Sequence, residues 1–129
     1  MRALELNACS SAAANALAVC PALSGLYMLT FDGGALDDTV AARFFRRAAL
    51  DRLVYLDVSY SGIGAEGTKA LAAWPGAASL QWLNLSENAL TAAGANALIA
   101  SPHLKNLRHF EATGRGVAKL KSHFGKVMQ

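Results

Sequence analysis

A motif that recurs at one fixed spacing constrains the fold of this chain more than any other feature. Its copies begin at Leu26, Leu53, Leu80 and Leu107 and read LYMLTFDGGAL, LVYLDVSYSGI, LQWLNLSENAL and LRHFEATGRGV. They share the template L-x-x-L-x-L-x-x-N-x-L, and an earlier copy begins at Met1. The copies from Leu26 onward are thus 27 residues apart. A period of this length is typical of solenoids, in which every unit repeats one supersecondary structure.

The spacing divides the chain into four units and a closing segment. The first unit is slightly shorter than the next three, and the segment after Leu107 has a shorter linker into its helix, so we interpret that segment as a C-terminal cap. We therefore predict a single domain with units 1–25, 26–52, 53–79 and 80–106 and a cap at 107–129.

Each unit is predicted to contain one strand and one helix. From Leu53 to Ser59 apolar and polar residues alternate, which indicates a strand. The Ala-rich second half of the unit has apolar residues at helical spacing, and we expect Pro75 and Pro102 to end the helices of two units. Because each helix returns the chain, the strands must be parallel, and the units must stack to cover their apolar faces.

Two details of the second unit follow from residue type. Asp38 or Thr39 is the expected N-cap of its helix, because short polar side chains accept hydrogen bonds from the first backbone N–H groups. Of the adjacent Phe44 and Phe45, one should fill the core position that corresponds to Leu71, and the other should pack against a neighbouring helix.

These features resemble the leucine-rich repeat family, and within it the ribonuclease-inhibitor-like class, in which each unit carries a full helix. The resemblance is clearest in the fourth unit, at Leu80, Leu83, Leu85, Asn88, Leu90, Gly94, Ala97 and Leu98. It implies an α/β solenoid, a right-handed β-α superhelix with parallel strands on the concave side and helices on the convex side. The runs LIASPHLKNLRHF and LKSHFG are similar to the repeat arrays of large bacterial proteins.

The chain departs from this family at the Asn position of the template. Asn88 is the one Asn there, and the other units carry Cys9, Gly34, Ser61 and Arg115. In the family this Asn is expected to hydrogen-bond to the backbone inside the turn after the strand. Cys and Ser can partly take over that role, whereas Gly cannot, and we expect Arg115 to point outward.

Composition excludes several classes of protein. With 53% hydrophobic and 16% charged residues, the chain is too apolar for intrinsic disorder. The longest Ala-rich stretch, 12–22, contains Asn15 and is too short for a membrane span, and Glu5 and Asn7 interrupt the region where a signal peptide would be apolar. A net charge of +3 does not by itself indicate nucleic-acid binding.

Cysteine and arginine usage gives no sign of a special site. Cys9 and Cys20 cannot form a disulfide scaffold, so we expect buried, inert thiols and a cytoplasmic protein. We interpret Arg43, Arg46 and Arg47 as a solvated helical face, and we predict neither a nucleic-acid nor a membrane partner.

One motif suggests an enzyme, although the repeat explains it more simply. Gly62, Gly64 and Gly67 form a G-x-G-x-x-G between a strand and a helix, and Glu87 follows at the distance expected of the ribose-binding acid in a dinucleotide site. Ile63, however, occupies a repeated core position, so a dinucleotide-binding enzyme is only a remote alternative. We find no catalytic constellation, no metal-ligand spacing around the three histidines, and no indication of a cofactor.

The strand residues that face away from the helices form three columns across the predicted sheet. The first column contains Ala3, Met28, Tyr55, Trp82 and His109. The second contains Glu5, Thr30, Asp57, Asn84 and Glu111, and the third contains Asn7, Asp32, Ser59, Ser86 and Thr113. The columns are aromatic and acidic and contain no Lys or Arg.

We expect these columns to bind a protein or peptide rather than to perform catalysis. Aromatic residues would anchor the partner, and the acidic ones would favour a basic partner through ion pairs and cation–π contacts. The predicted contacts are Met28, Tyr55, Asp57, Ser59, Trp82, Asn84, His109 and Glu111. The competing interpretation is that neighbouring aromatic residues on adjacent strands only stabilise the sheet.

The first strand suggests a second functional hypothesis. Met1, Leu4 and Leu6 would point at a core with nothing stacked before it, and the backbone edge of this strand would be unpaired. We therefore keep open a structural or assembly role, in which this edge forms a homodimer or continues a longer repeat array.

Overall fold

A computed structural model describes residues 3–7, 11–21, 24–32 and 36–128, with the backbone alone at 5–7, 11–13 and 32. In these described segments, five strands alternate with five helices. The strands are β1 (Ala3–Asn7), β2 (Met28–Asp32), β3 (Tyr55–Asp57), β4 (Trp82–Leu85) and β5 (His109–Ala112). The helices are α1 (Ser11–Ala18), α2 (Asp38–Arg47), α3 (Ala65–Ala73), α4 (Ala92–Ala100) and α5 (Val117–Phe124). Short 3-10 helices follow at Pro75–Ser79 and Gly125–Val127.

All five strands form one parallel sheet in the order β1-β2-β3-β4-β5. From β2 onward, each residue pairs with the residue 27 positions later, as in Met28 with Tyr55 and Trp82 with His109. β1 pairs with β2 at an offset of 25, as in Ala3 with Met28. The pairing confirms the α/β solenoid that the repeat predicts.

The inward positions of the strands form the core. Leu29, Leu56, Leu83 and Phe110, which pair across neighbouring strands, are fully buried. Such packing is expected because each unit leaves an apolar face that the next one must cover. The core is therefore a continuous stack of equivalent side chains along the solenoid.

A chain of aromatic rings supports the helices at the centre of the array. Phe31 and Phe44 meet edge to face with ring centroids 5.4 Å apart, and Phe44 meets Phe45 in the same way at 5.3 Å. Phe45 packs at 5.3 Å against Trp74, at the end of α3. This confirms the prediction that one ring fills the core while its neighbour packs toward the next helix.

Asn88 connects two consecutive units through its side-chain amide. Its Oδ1 accepts hydrogen bonds from the backbone N–H groups of Ser61 and Ile63, both at 3.0 Å. Its Nδ2 lies 2.8 Å from the carbonyl oxygen of Val58 and 3.1 Å from that of Leu85. The amide therefore satisfies the turn of the preceding unit as well as its own, a wider role than the sequence indicates.

The N-cap predicted for α2 is wrong by one residue. Asp37 is the N-cap, and its Oδ1 accepts from the backbone N–H of Val40 at 2.9 Å. Asp38 instead reaches the next unit, where its Oδ1 accepts from the backbone N–H groups of Gly64 (2.9 Å) and Gly67 (2.6 Å) at the start of α3. A carboxylate there satisfies free donors and complements the positive end of the helix dipole.

The last strand is partly covered by the end of the described chain. Met128 is buried and forms a parallel bridge with Phe110. Phe124 meets the ring of Phe110 edge to face at a centroid distance of 5.0 Å. Residues 117–128 thus close the core beside β5, as a cap would.

We predict that Asn88→Ala destabilises the fold by about 2–4 kcal/mol, because it leaves several partly buried backbone groups without their partners. Urea unfolding followed by circular dichroism measures this loss. The control is Asn96→Ala on the exposed face of α4, which should change the free energy of unfolding by less than about 0.5 kcal/mol. Equal losses in the two variants would contradict the role given to Asn88.

Candidate functional site

The face of the sheet that points away from the helices, here called the concave face, carries the first two columns predicted from the repeat. Ser59, Ser86 and Thr113 of the third column instead follow the ends of β3, β4 and β5. The observed register places Met28, Tyr55, Trp82 and His109 directly beside one another on β2 to β5. It also aligns Thr30, Asp57, Asn84 and Glu111 as the neighbouring column. Side chains of each column are therefore brought together at the spacing between strands, although they are far apart in the sequence.

Three rings of the first column form a continuous stack. Tyr55 and Trp82 lie nearly parallel, at an interplanar angle of 10° and a centroid distance of 4.0 Å. Trp82 and His109 are also parallel within 8°, at 5.2 Å. All three side chains are half-buried. These three side chains, which we call the ring stack, thus form a continuous row of rings on the concave face.

This geometry excludes the predicted cation–π contacts at the faces of the central ring, Trp82. β4 lies between β3 and β5, so Tyr55 covers one face of Trp82 and His109 covers the other. A cation cannot reach either face of the indole while the stack is intact. The stack leaves uncovered the edges of the indole, where its hydrogen atoms and its N–H lie.

Two polar residues of the second column also form turns at or near the ends of their strands. Asp57 Oδ1 accepts from the backbone N–H of Ser59 at 2.9 Å and from its hydroxyl at 2.6 Å. Asn84 Oδ1 accepts from the backbone N–H of Ser86 at 2.9 Å. Hydrogen bonds from a side chain to the backbone two residues later form turns. Asp57 and Asn84 therefore stabilise the ends of these strands, whether or not they also contact a partner.

Glu111 supplies a second carboxylate to this column, on β5. Its Oε1 lies 3.3 Å from Nε2 of His109, and the side chains of His109 and Glu111 are 28% and 38% exposed. The pair connects the ring stack to an anionic group at the β5 end of the face. Thr30, Asp57 and Asn84 are half-buried.

Several predicted residues lie outside what the structure describes. Met1 is not among the described residues, and the same holds for the side chain of Leu6 on β1 and for Cys9. Leu4 is half-buried on β1, which pairs on one side with β2. Cys20 is a free thiol and is half-buried rather than buried as predicted.

The glycine motif has a structural role that accounts for two of its three glycines. The backbone N–H groups of Gly64 and Gly67, which would hold a phosphate in a dinucleotide site, already donate to Asp38. A Cβ on Gly67 would lie 2.8 Å from Cγ2 of Ile63 and 3.0 Å from Cβ of Ala41. Gly62 has a φ of +78° in the turn before α3. The helix end is thus occupied by a carboxylate and is closely packed.

The sequence also raised the questions of a metal site, an arginine cluster on α2 and a membrane span. Among the described residues, no group of three His, Cys, Asp or Glu side chains could hold a metal ion. Arg43, Arg46 and Arg47 are exposed on α2 and line a cavity of about 320 Å³ together with Glu66. No helix in the described part of the chain is long and apolar enough to cross a membrane.

Comparison with known proteins agrees with the repeat. The family model described as Leucine Rich repeat matches residues 53–72 and 77–98, which cover the strands and most of the helices of the third and fourth units. A comparison with curated proteins gives no match. The chain therefore contains leucine-rich repeats, and its fold is an α/β leucine-rich-repeat solenoid. Repeats of this kind generally mediate protein binding.

Two features of the site were not predicted. The carboxylate of Asp38 binds the start of α3, and the three rings stack so that both faces of Trp82 are covered. The sequence carries a signal for the first, because Asp38 lies one repeat before Ala65. It carries none for the second, because stacking depends on the side-chain rotamers.

We predict that Gly67→Ala destabilises the chain by about 1–3 kcal/mol, because the added methyl group overpacks the contact with Ile63 and Ala41. Thermal and urea unfolding measure the change. Gly25→Ala is the matched control, since nothing lies within 4 Å of its added Cβ, and it should change stability by less than about 0.5 kcal/mol. A neutral Gly67→Ala variant would show that the close packing does not require glycine.

Proposed function

We propose that this chain is a non-catalytic protein-binding module that recognises a protein or peptide on its concave face. The observation that carries the proposal is the ring stack, three half-buried aromatic side chains aligned on β3, β4 and β5. Large planar side chains are frequent binding hot spots, because they bury much area. The rings of this stack are held by one another, so little conformational entropy would be lost on binding.

The proposed partner is basic. Asp57 and Glu111 place carboxylates beside the ring stack, and the outward positions of the strands contain no Lys or Arg. One oxygen of Asp57 is engaged with Ser59, which leaves the other for a partner. Lys or Arg side chains would reach these carboxylates along the ring edges, and the remaining proposed contacts are Met28, Ser59, Trp82 and Asn84. Charge pairs of this kind accelerate association and make it sensitive to salt.

Finer assignments belong to the same proposal. A helix in every unit supports the ribonuclease-inhibitor-like class, and the C-terminal sequence pattern supports an origin in bacterial repeat arrays. Two cysteines are too few for a disulfide scaffold, which supports a cytoplasmic location. The unit boundaries proposed above follow the same repeat. Because the carboxylate of Asp38 occupies the start of α3, the structure favours protein binding over dinucleotide binding.

We predict that Trp82→Ala weakens binding of the partner at least tenfold, because it removes the central ring of the stack. The partner is captured from a bacterial lysate on the immobilised chain, identified by mass spectrometry and purified, and its Kd is then measured by calorimetry. Arg46→Ala on α2 is the control and should keep the Kd within twofold. Circular dichroism checks that both variants are folded.

The same titration tests the charge of the partner. Asp57→Asn with Glu111→Gln removes two charges while keeping the shape of both side chains, and Asn retains the acceptor for Ser59. We expect weaker binding and a smaller dependence of Kd on salt.

An unchanged Kd in Trp82→Ala would contradict the concave face as the binding site and favour a purely structural ring stack. An unchanged salt dependence would contradict the basic partner alone.

Self-association is a second candidate, favoured by β1. Within the described chain β1 pairs only with β2, and Leu4 on β1 is half-buried. An open strand edge can pair with another copy or with further repeats of a longer array. If a homodimer forms through this edge, Leu4→Lys should halve the mass measured by sedimentation equilibrium. A dimer whose mass is unchanged by Leu4→Lys would rule out this edge as its interface.

A further inference from the structure

The C-terminal end of the solenoid is strongly basic. Residues 103–129 carry six of the 12 Lys and Arg residues and one acidic residue, a net charge of +5, whereas residues 1–102 carry a net charge of −2. The six basic residues are Lys105, Arg108, Arg115, Lys119, Lys121 and Lys126, and all are exposed. None of them makes an ion pair with any residue that the structure describes. The modest net charge of the whole chain conceals this asymmetry.

An apolar groove lies in the same region. Two adjoining cavities, of about 450 and 550 Å³, share Ile99 and His123 and run along the seam between α4 and α5. Ile99, Phe124 and Val127 line the groove and are half-buried, which leaves apolar surface in contact with solvent. Lys105 lies along one cavity and Lys119 along the other, and no acidic residue lines either.

We propose that this groove, which we call the cap groove, binds an acidic amphipathic segment of a protein partner. Apolar side chains of the segment would enter between α4 and α5, and its carboxylates would meet Lys105 and Lys119 at the rim. The site lies on the helical side of the cap and is separate from the concave face. Its chemistry is also opposite, because the concave face carries carboxylates and the cap groove carries ammonium groups.

The apolar lining of the groove favours an acidic peptide over a nucleic acid or a membrane surface. A nucleic-acid backbone offers phosphates to the lysines but nothing apolar to fill the space around Ile99 and Phe124. A membrane surface is best met by apolar side chains that protrude, whereas these line a recess. A peptide with both carboxylates and large apolar side chains matches both halves of the site.

Selection from a random peptide library tests the proposal without assuming a sequence. Displayed peptides long enough to form several helical turns are selected on the whole chain and then depleted on the Ser122→Trp variant. Ser122 is exposed and lines the groove, so the indole would fill the groove without removing a buried contact. We expect the peptides retained by the unsubstituted chain and lost on the variant to carry net negative charge and at least two large apolar side chains. Basic or purely polar peptides, or no difference between the two chains, would overturn the proposal.

Charge reversal provides the matched control. The most frequent peptide is synthesised with a fluorophore, and its Kd is measured by anisotropy. Lys105→Glu with Lys119→Glu should raise the Kd at least tenfold. Arg43→Glu with Arg46→Glu changes the net charge equally on α2 and should leave it within threefold. Circular dichroism verifies the fold of each variant.

A second probe separates peptide from nucleic acid. A short DNA duplex is titrated under the same conditions, and we expect it not to displace the peptide. DNA that binds and is lost on Lys105→Glu with Lys119→Glu but not on Ser122→Trp would overturn the proposal in favour of a nucleic-acid surface. Equal weakening by both charge-reversed pairs would overturn it as well, because binding would then follow net charge alone.

Discussion

Every other feature of this chain depends on the contact of one repeat unit with the next. No unit can bury its apolar face alone, so stacking supplies the core, and the constant offset between paired strand residues fixes which side chains meet. Polar side chains add to the contact, among them Asn88 and Asp38. Asn88 holds the turn of the preceding unit, and Asp38 holds the start of the helix in the following unit. The units are thus joined by specific hydrogen bonds as well as by apolar packing, which makes a slip in register costly.

The ring stack depends on that register. Tyr55, Trp82 and His109 occupy one position of three successive strands, parallel pairing without a shift places them side by side, and their rotamers bring the rings face to face. The same arrangement stabilises the sheet and presents ring edges next to Glu111 on an otherwise open face. The same residues therefore have a structural role beside the recognition role that we propose for them. The cap groove differs, since it does not depend on the strand register and lies along the seam between α4 and α5.

The sequence predicts the fold and the composition of the concave face because both follow from periodicity. Alternation of period two assigns Leu56 to the core and Tyr55 to the opposite face, and the fixed spacing aligns the columns. It does not predict what depends on three-dimensional distance. Asp37 and Asp38 are adjacent acids, and only the separation of α2 from α3 decides which of them caps which helix. Stacking of the rings likewise depends on rotamers, and the cap groove depends on how closely α5 packs against α4.

The concave face is the surface on which we propose that a partner docks. Site-specific photocrosslinking tests it most directly, with benzoylphenylalanine introduced at Thr30 beside the ring stack or at Lys69 on the exposed face of α3. The account predicts a discrete adduct from position 30 after irradiation, its loss when Trp82→Ala is added, and no adduct from position 69. An adduct that forms equally from both positions, or that survives Trp82→Ala, would contradict it.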